Sequence, residues 1–98
     1  MSAPLLVRLT LTAWPRLTVE IVDPWVFQPH SLEIPSGATV IWTNKTDVAH
    51  TVTSDDLVFD DSGLIEPGKS FRQTFGVPGT YEYRCGPHPD MTGVIVVR

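Results

Sequence analysis

Apolar residues in this chain recur at every second position over short stretches and never hold a helical spacing. Leu5, Val7, Leu9, Leu11 and Ala13 have Arg8, Thr10 and Thr12 among them. Leu17, Val19 and Ile21 alternate with Thr18 and Glu20, and Leu32 and Ile34 with Ser31 and Glu33. Successive side chains of a strand point to opposite faces, so a period of two marks a half-buried strand. Val40–Trp42, Thr51–Thr53, Phe71–Phe75, Thr80–Cys85 and Val94–Val97 read as further short strands. Nine prolines and seven glycines punctuate them, at Pro35-Ser36-Gly37, Pro67-Gly68 and Pro78-Gly79 among others, and such clusters are turn signals. Many short strands between turn signals predict an all-β sandwich or barrel. With no repeat, linker or low-complexity tract, residues 1–98 are expected to form a single domain.

Charge narrows the function. There are 7 Lys+Arg against 11 Asp+Glu, a formal net charge of −4. That balance offers no basic stripe to neutralise phosphates, so a nucleic-acid partner is not expected. No apolar run approaches the ~20 residues that span a bilayer, so no membrane span is expected. Arg8 interrupts the apolar segment near the start, so Met1–Trp14 does not read as a signal peptide. The single cysteine, Cys85, cannot form an internal disulfide. It is either a small core residue or a reactive or metal-bound thiolate.

The stretch Cys85-Gly86-Pro87-His88-Pro89-Asp90-Met91 favours the second reading. It sets a thiol, an imidazole and a thioether at equal intervals, in a turn between a strand ending at Cys85 and another beginning at Val94. A second imidazole, His50, stands at the start of the predicted Thr51–Thr53 strand. Two imidazole nitrogens, a thiolate and a weak thioether are the donor set of a blue-copper electron-transfer site. Soft sulfur suits the cuprous ion and imidazole the cupric ion, so one arrangement serves both states.

These residues resemble the cupredoxins, most closely the amicyanin group. The likeness rests on Phe27-Gln28-Pro29 with Leu32 and Ile34, on Gly37 with Val40, Trp42 and Asn44, on His50-Thr51-Val52, on Pro78–Cys85, and on the short Cys-x2-His-x2-Met loop. It covers about residues 26–98. The resemblance implies a cupredoxin-like Greek-key β-sandwich of about eight strands holding one copper ion, Cu(I)/Cu(II). It implies His50, Cys85, His88 and Met91 as ligands, and a one-electron carrier between larger redox proteins. Such a carrier is not an enzyme. Its donor and acceptor are redox proteins such as a cytochrome or a dehydrogenase, and it works as a monomer in the periplasm or elsewhere outside the cytoplasm. Copper storage or delivery with the same ligands is the alternative. Oxidase members of the wider family relay electrons through a histidine beside the cysteine; here the neighbours are Arg84 and Gly86. A structural zinc site also uses Cys and His, but Met91 adds little to zinc.

Two positions depart from the family. Thr51 follows the first ligand where Asn is common, and its hydroxyl could bridge to the Cys85 loop. Asp90 precedes Met91 where an aromatic residue is common, which sets a carboxylate near His88. Other features read plainly. His30 belongs on the surface, and Trp14, Trp25 and Trp42 pack in the core or on turns. Asp55, Asp56, Asp60 and Asp61 form a solvated acidic loop, and Asn44-Lys45-Thr46 matches a glycosylation sequon.

Overall fold

The computed structural model describes residues 17–98. The strand expected over Leu5–Ala13, and Trp14, lie outside them. Eight strands form: β1 (Thr18–Val22), β2 (Val26–Gln28), β3 (Ser31–Ile34), β4 (Ala38–Asn44), β5 (Thr53–Ser54), β6 (Ser70–Phe75), β7 (Gly79–Arg84) and β8 (Thr92–Val97). Among the described residues there is no helix. The strands make two four-stranded sheets, ordered β2-β1-β4-β6 and β3-β8-β7-β5. Both are mixed, because β1 runs parallel to β4 and β3 parallel to β8 while the other pairs are antiparallel. The all-β sandwich expected from the alternation is what forms.

The period of two decides which residues meet between the sheets. Val19 and Ile21 of β1 and Val40 and Trp42 of β4 are buried, as are Tyr83 of β7 and Ile95 and Val97 of β8. Each such aliphatic side chain contributes about 1.5–3 kcal/mol on leaving water. Trp42 sits at the centre, edge-on to the Tyr83 ring at 5.4 Å and 86°, with Phe71 on another side at 5.7 Å. Tyr83 is paired in register with Gly93, and its ring lies where a Cβ on Gly93 would be. Glycine is therefore required in the middle of a strand for close approach rather than for backbone freedom. At Gly37, by contrast, φ is +92°, and the Pro35-Ser36-Gly37 turn into β4 needs that conformation.

Two expectations change in detail. β2 was not anticipated as a strand; only three residues long, it carries one apolar side chain, Phe27, into the core. The Thr51–Thr53 strand shrinks to Thr53–Ser54, and His50 instead forms an isolated bridge with Ile65. Both backbone groups of His50 are used there, with His50 N–H donating to Ile65 O at 3.2 Å and Ile65 N–H to His50 O at 2.7 Å.

Candidate metal centre

Cys85 follows the last residue of β7, and Met91 precedes the first of β8. The loop between them is closed by two main-chain bonds. Cys85 N–H donates to Met91 O at 3.0 Å and Met91 N–H to His88 O at 2.9 Å. The thiol thus stands at the end of β7, which is flanked on both sides within its sheet, and the loop folds back over it. His50 arrives from the connection after β4, pinned by its bridge to Ile65.

The structure brings three of the four expected residues to one point. Cys85 Sγ lies 3.7 Å from His50 Nδ1 and 3.4 Å from His88 Nδ1. The three donor atoms all fall within 4.8 Å of one another. Cys85 and His50 are fully buried and His88 is half-buried. Met91 is buried too, at 5% exposure, and lines the same small cleft as His88. The spacing can be tested against a metal. Bonds of about 2.3 Å to sulfur and about 2.0–2.1 Å to nitrogen, at angles from tetrahedral to trigonal, separate S from N by roughly 3.6–3.8 Å. The observed 3.7 and 3.4 Å lie within or just under that range, so the donors fit one ion.

The hydrogen bonds around His50 determine which nitrogen is free. His50 Nε2 is 2.9 Å from the Thr46 hydroxyl. That hydroxyl has one proton and faces two acceptors, the Asn44 side-chain carbonyl at 2.8 Å and Val48 O at 3.0 Å, while it accepts from Val48 N–H at 3.4 Å. Two carbonyls compete for that one proton, which favours donation from Nε2 and leaves the Nδ1 lone pair aimed at Cys85. Asn44 is itself fully buried and saturated: its amide donates to Val48 O and Ile65 O, and its carbonyl accepts from Thr46 N–H and Thr46 O–H. The sequon at Asn44 is therefore structural, with its nitrogen inaccessible to a glycan.

Burial holds the His50 imidazole below its ordinary value of 6.5; nearby His88 pushes the same way and Asp23 opposes both. A neutral ring at pH 7 is the form that coordinates metal. Around the thiol, Thr51 N–H donates to Cys85 Sγ at 3.3 Å. The Thr51 hydroxyl accepts from Gly86 N–H at 2.7 Å, so the expected bridge to the Cys85 loop exists despite the absent Asn. Pro87, lacking N–H, can add no donor to the sulfur.

Sequence reasoning missed several contributors. Trp25, expected simply as a core or turn-packing residue, does occupy the β1–β2 turn, but its ring lies 4.4 Å from that of His88 and 5.6 Å from that of His50. Asp23 of the same turn acts on His50 through its charge. No periodicity announces either. Asn44 had a signal, since the alternation Val40, Trp42, Asn44 points it inward beside the core. The acidic stretch is only partly a free surface: Asp55 pairs with Arg84 at 2.9 Å, and Asp61 accepts from Gly63 N–H and the Thr53 hydroxyl. His30 is exposed, as expected.

Residues 16–98 match the family described as copper binding proteins, plastocyanin/azurin family. The chain belongs to that family. Copper is accordingly the metal for this cupredoxin, and His50, Cys85, His88 and Met91 are positioned to bind one ion of it. The cupredoxin is 35% identical to amicyanin-alpha of Methylorubrum extorquens, over 72% of this chain and 63% of that protein. It is 33% identical to plastocyanin of Scenedesmus fuscus, over 74% of this chain and 87% of that protein. The chain thus spans less than two thirds of the length of amicyanin-alpha. Among solved structures, a purple cupredoxin from Nitrosopumilus maritimus aligns with a TM-score of 0.76 at 30% identity, covering 83% of this chain and 98% of that one. A Cu(I) form of an amicyanin variant aligns with a TM-score of 0.79 at 28% identity, covering 90% and 87%.

Proposed function

We propose that this cupredoxin is a soluble one-electron carrier, with His50, Cys85, His88 and Met91 as the ligands of a single copper ion. Bound copper would supply the redox chemistry by alternating between its cuprous and cupric states. The protein's part is to hold the donor atoms still. The observation that carries the reading is the placement of Cys85 Sγ within 3.7 and 3.4 Å of two imidazole nitrogens, on backbone already tied into the sandwich. His50 has its ring nitrogen and both backbone groups engaged, and the Cys85 sulfur accepts from Thr51 N–H. Donors so constrained shift little when the metal charge changes, which keeps the barrier to electron transfer low. A copper-delivery protein needs donors that can leave one at a time, and two of these are fully buried.

The reading extends to a single domain, a monomer, and no enzymatic activity. By the family resemblance it places the protein in the periplasm or another extracytoplasmic space, between redox partners such as a cytochrome or dehydrogenase. Adding cupric salt to the metal-free protein should produce an intense thiolate-to-copper visible band with a narrow paramagnetic hyperfine pattern. Cys85→Ser should abolish both. Fast loss of copper to a mild chelator, together with slow electron self-exchange, would replace the carrier reading with copper delivery.

A further inference from the structure

Two imidazoles face Cys85, and only one is held by a hydrogen bond on its far nitrogen. His50 Nε2 donates to Thr46. Among the described residues, the only hydrogen-bonding partner of the His88 ring is Cys85 itself. Metal-binding imidazoles generally need an outer partner to fix ring orientation, and losing that partner costs 10–100-fold in metal affinity. His88 also sits in the less sheltered place, in a loop where Gly86, Pro87, Pro89 and Asp90 are exposed.

We propose that Trp25 is the positioning residue for His88, replacing the missing hydrogen bond with a stacked ring. The indole lies 4.4 Å from the imidazole, tilted by 42°, and touches His50 edge-on at 5.6 Å and 74°. One side chain thus wedges against both rings. Its backbone has φ +68°, a region that L side chains enter only at an energetic cost. Such strain persists where surrounding contacts over-determine it, and the two imidazoles are among those contacts here, beside the cleft that Trp25 shares with Met91. Trp25 remains 41% exposed, so core burial does not explain its position. The indole keeps water from one face of His88 and stops the ring from turning its Nδ1 away from the thiol.

This inference rests on the ligand assignment proposed above, but its test does not require electron transfer. In the metal-free protein, NMR should show contacts between the Trp25 and His88 ring protons and a single, ordered His88 ring. Trp25→Leu keeps an apolar L side chain at the same φ and removes the plane; Trp25→Phe keeps a plane. Trp25→Leu should mobilise the His88 ring and lower Cu(I) affinity 10–100-fold in competition with a chromogenic chelator, whereas Trp25→Phe should stay within about threefold of the parent. The parent's ring–ring contacts are read even if Trp25→Leu does not fold. Absence of those contacts, an ordered His88 ring with unchanged affinity in Trp25→Leu, or equal losses in both variants would overturn the role. A clamped His88 in a protein that binds copper but exchanges no electrons would defeat the carrier reading and leave the clamp standing.

Discussion

The amide of Gly86 donates to the hydroxyl of Thr51 across the gap between the two segments that carry Cys85 and His50, at 2.7 Å. Thr51 lies next to one imidazole and Gly86 next to the thiol, so this bond sets the separation of the two metal-binding segments. The Thr51 hydroxyl is also 2.8 Å from that of Thr53, which donates to Asp61. A relay of donors therefore runs from the Gly86 amide to an exposed carboxylate.

Thr51→Val keeps the shape and removes the acceptor. The Gly86 amide, part-buried, then lacks a partner, which costs about 1–3 kcal/mol. The urea midpoint of the metal-free protein should fall accordingly, and copper affinity should fall with it. An unchanged midpoint would mean that water replaces the hydroxyl without penalty.

Gly93→Ala should be among the most damaging single-atom additions to the core. The new methyl would overlap the Tyr83 ring, and Tyr83 is fully buried against Trp42 and Phe27, so the ring must shift against its aromatic neighbours. Overpacking of this kind costs about 1–3 kcal/mol. The Tyr83 hydroxyl is buried without a hydrogen-bond partner. The polar group it faces is the Trp42 indole, itself buried and without a well-formed partner, so Tyr83→Phe should change stability by no more than about 1 kcal/mol. Thermal unfolding of both variants tests the pair of expectations.

The metal-free protein should lose stability as the pH falls below 6.5. Burial depresses the pKa of His50 in the folded state, so between 6.5 and that lower value the unfolded chain holds the extra proton. Stability then declines with falling pH across this window and levels off, for this group, below it. Urea midpoints from pH 8 downward should show the decline, and His50→Gln should flatten it there.

Asp90→Asn should raise the reduction potential of the copper-loaded protein. Asp90 is exposed and borders the cleft that contains His88 and Met91. A carboxylate there favours the higher metal charge, so its removal favours the reduced form by roughly 10–30 mV through water-like dielectric. Added salt should shrink the difference; voltammetry at low and high ionic strength reads both effects.

Much of this molecule was legible in the sequence because strand and ligand signals are local. The alternation at Val19 and Ile21 predicted which residues enter the core, and the spacing Cys85, His88, Met91 predicted a loop that turns back on itself. What was not legible depends on turns and on contacts between remote segments. Trp25 reaches His88 because the β1–β2 turn directs it there, and nothing in the run Asp23-Pro24-Trp25 encodes that direction as periodicity. Asn44 and Thr46 stood out in the sequence only as a short sequon match of little weight, yet they tie β4 to the connection that carries His50. Val52 fitted a strand pattern but lies just before β5, where its amide is satisfied by the Ser62 hydroxyl instead of a neighbouring strand.

The Thr46 hydroxyl that accepts from His50 passes its own proton only toward the carbonyl oxygens of Asn44 and Val48, neither of which can forward it. Among the described residues, the one further hydrogen reaching that hydroxyl is the Val48 amide, a main-chain group that does not relay a proton onward. In the proposed electron carrier, charge arriving at or leaving the centre on the His50 side should travel without a compensating proton, and this half of the couple should be blind to deuterated water.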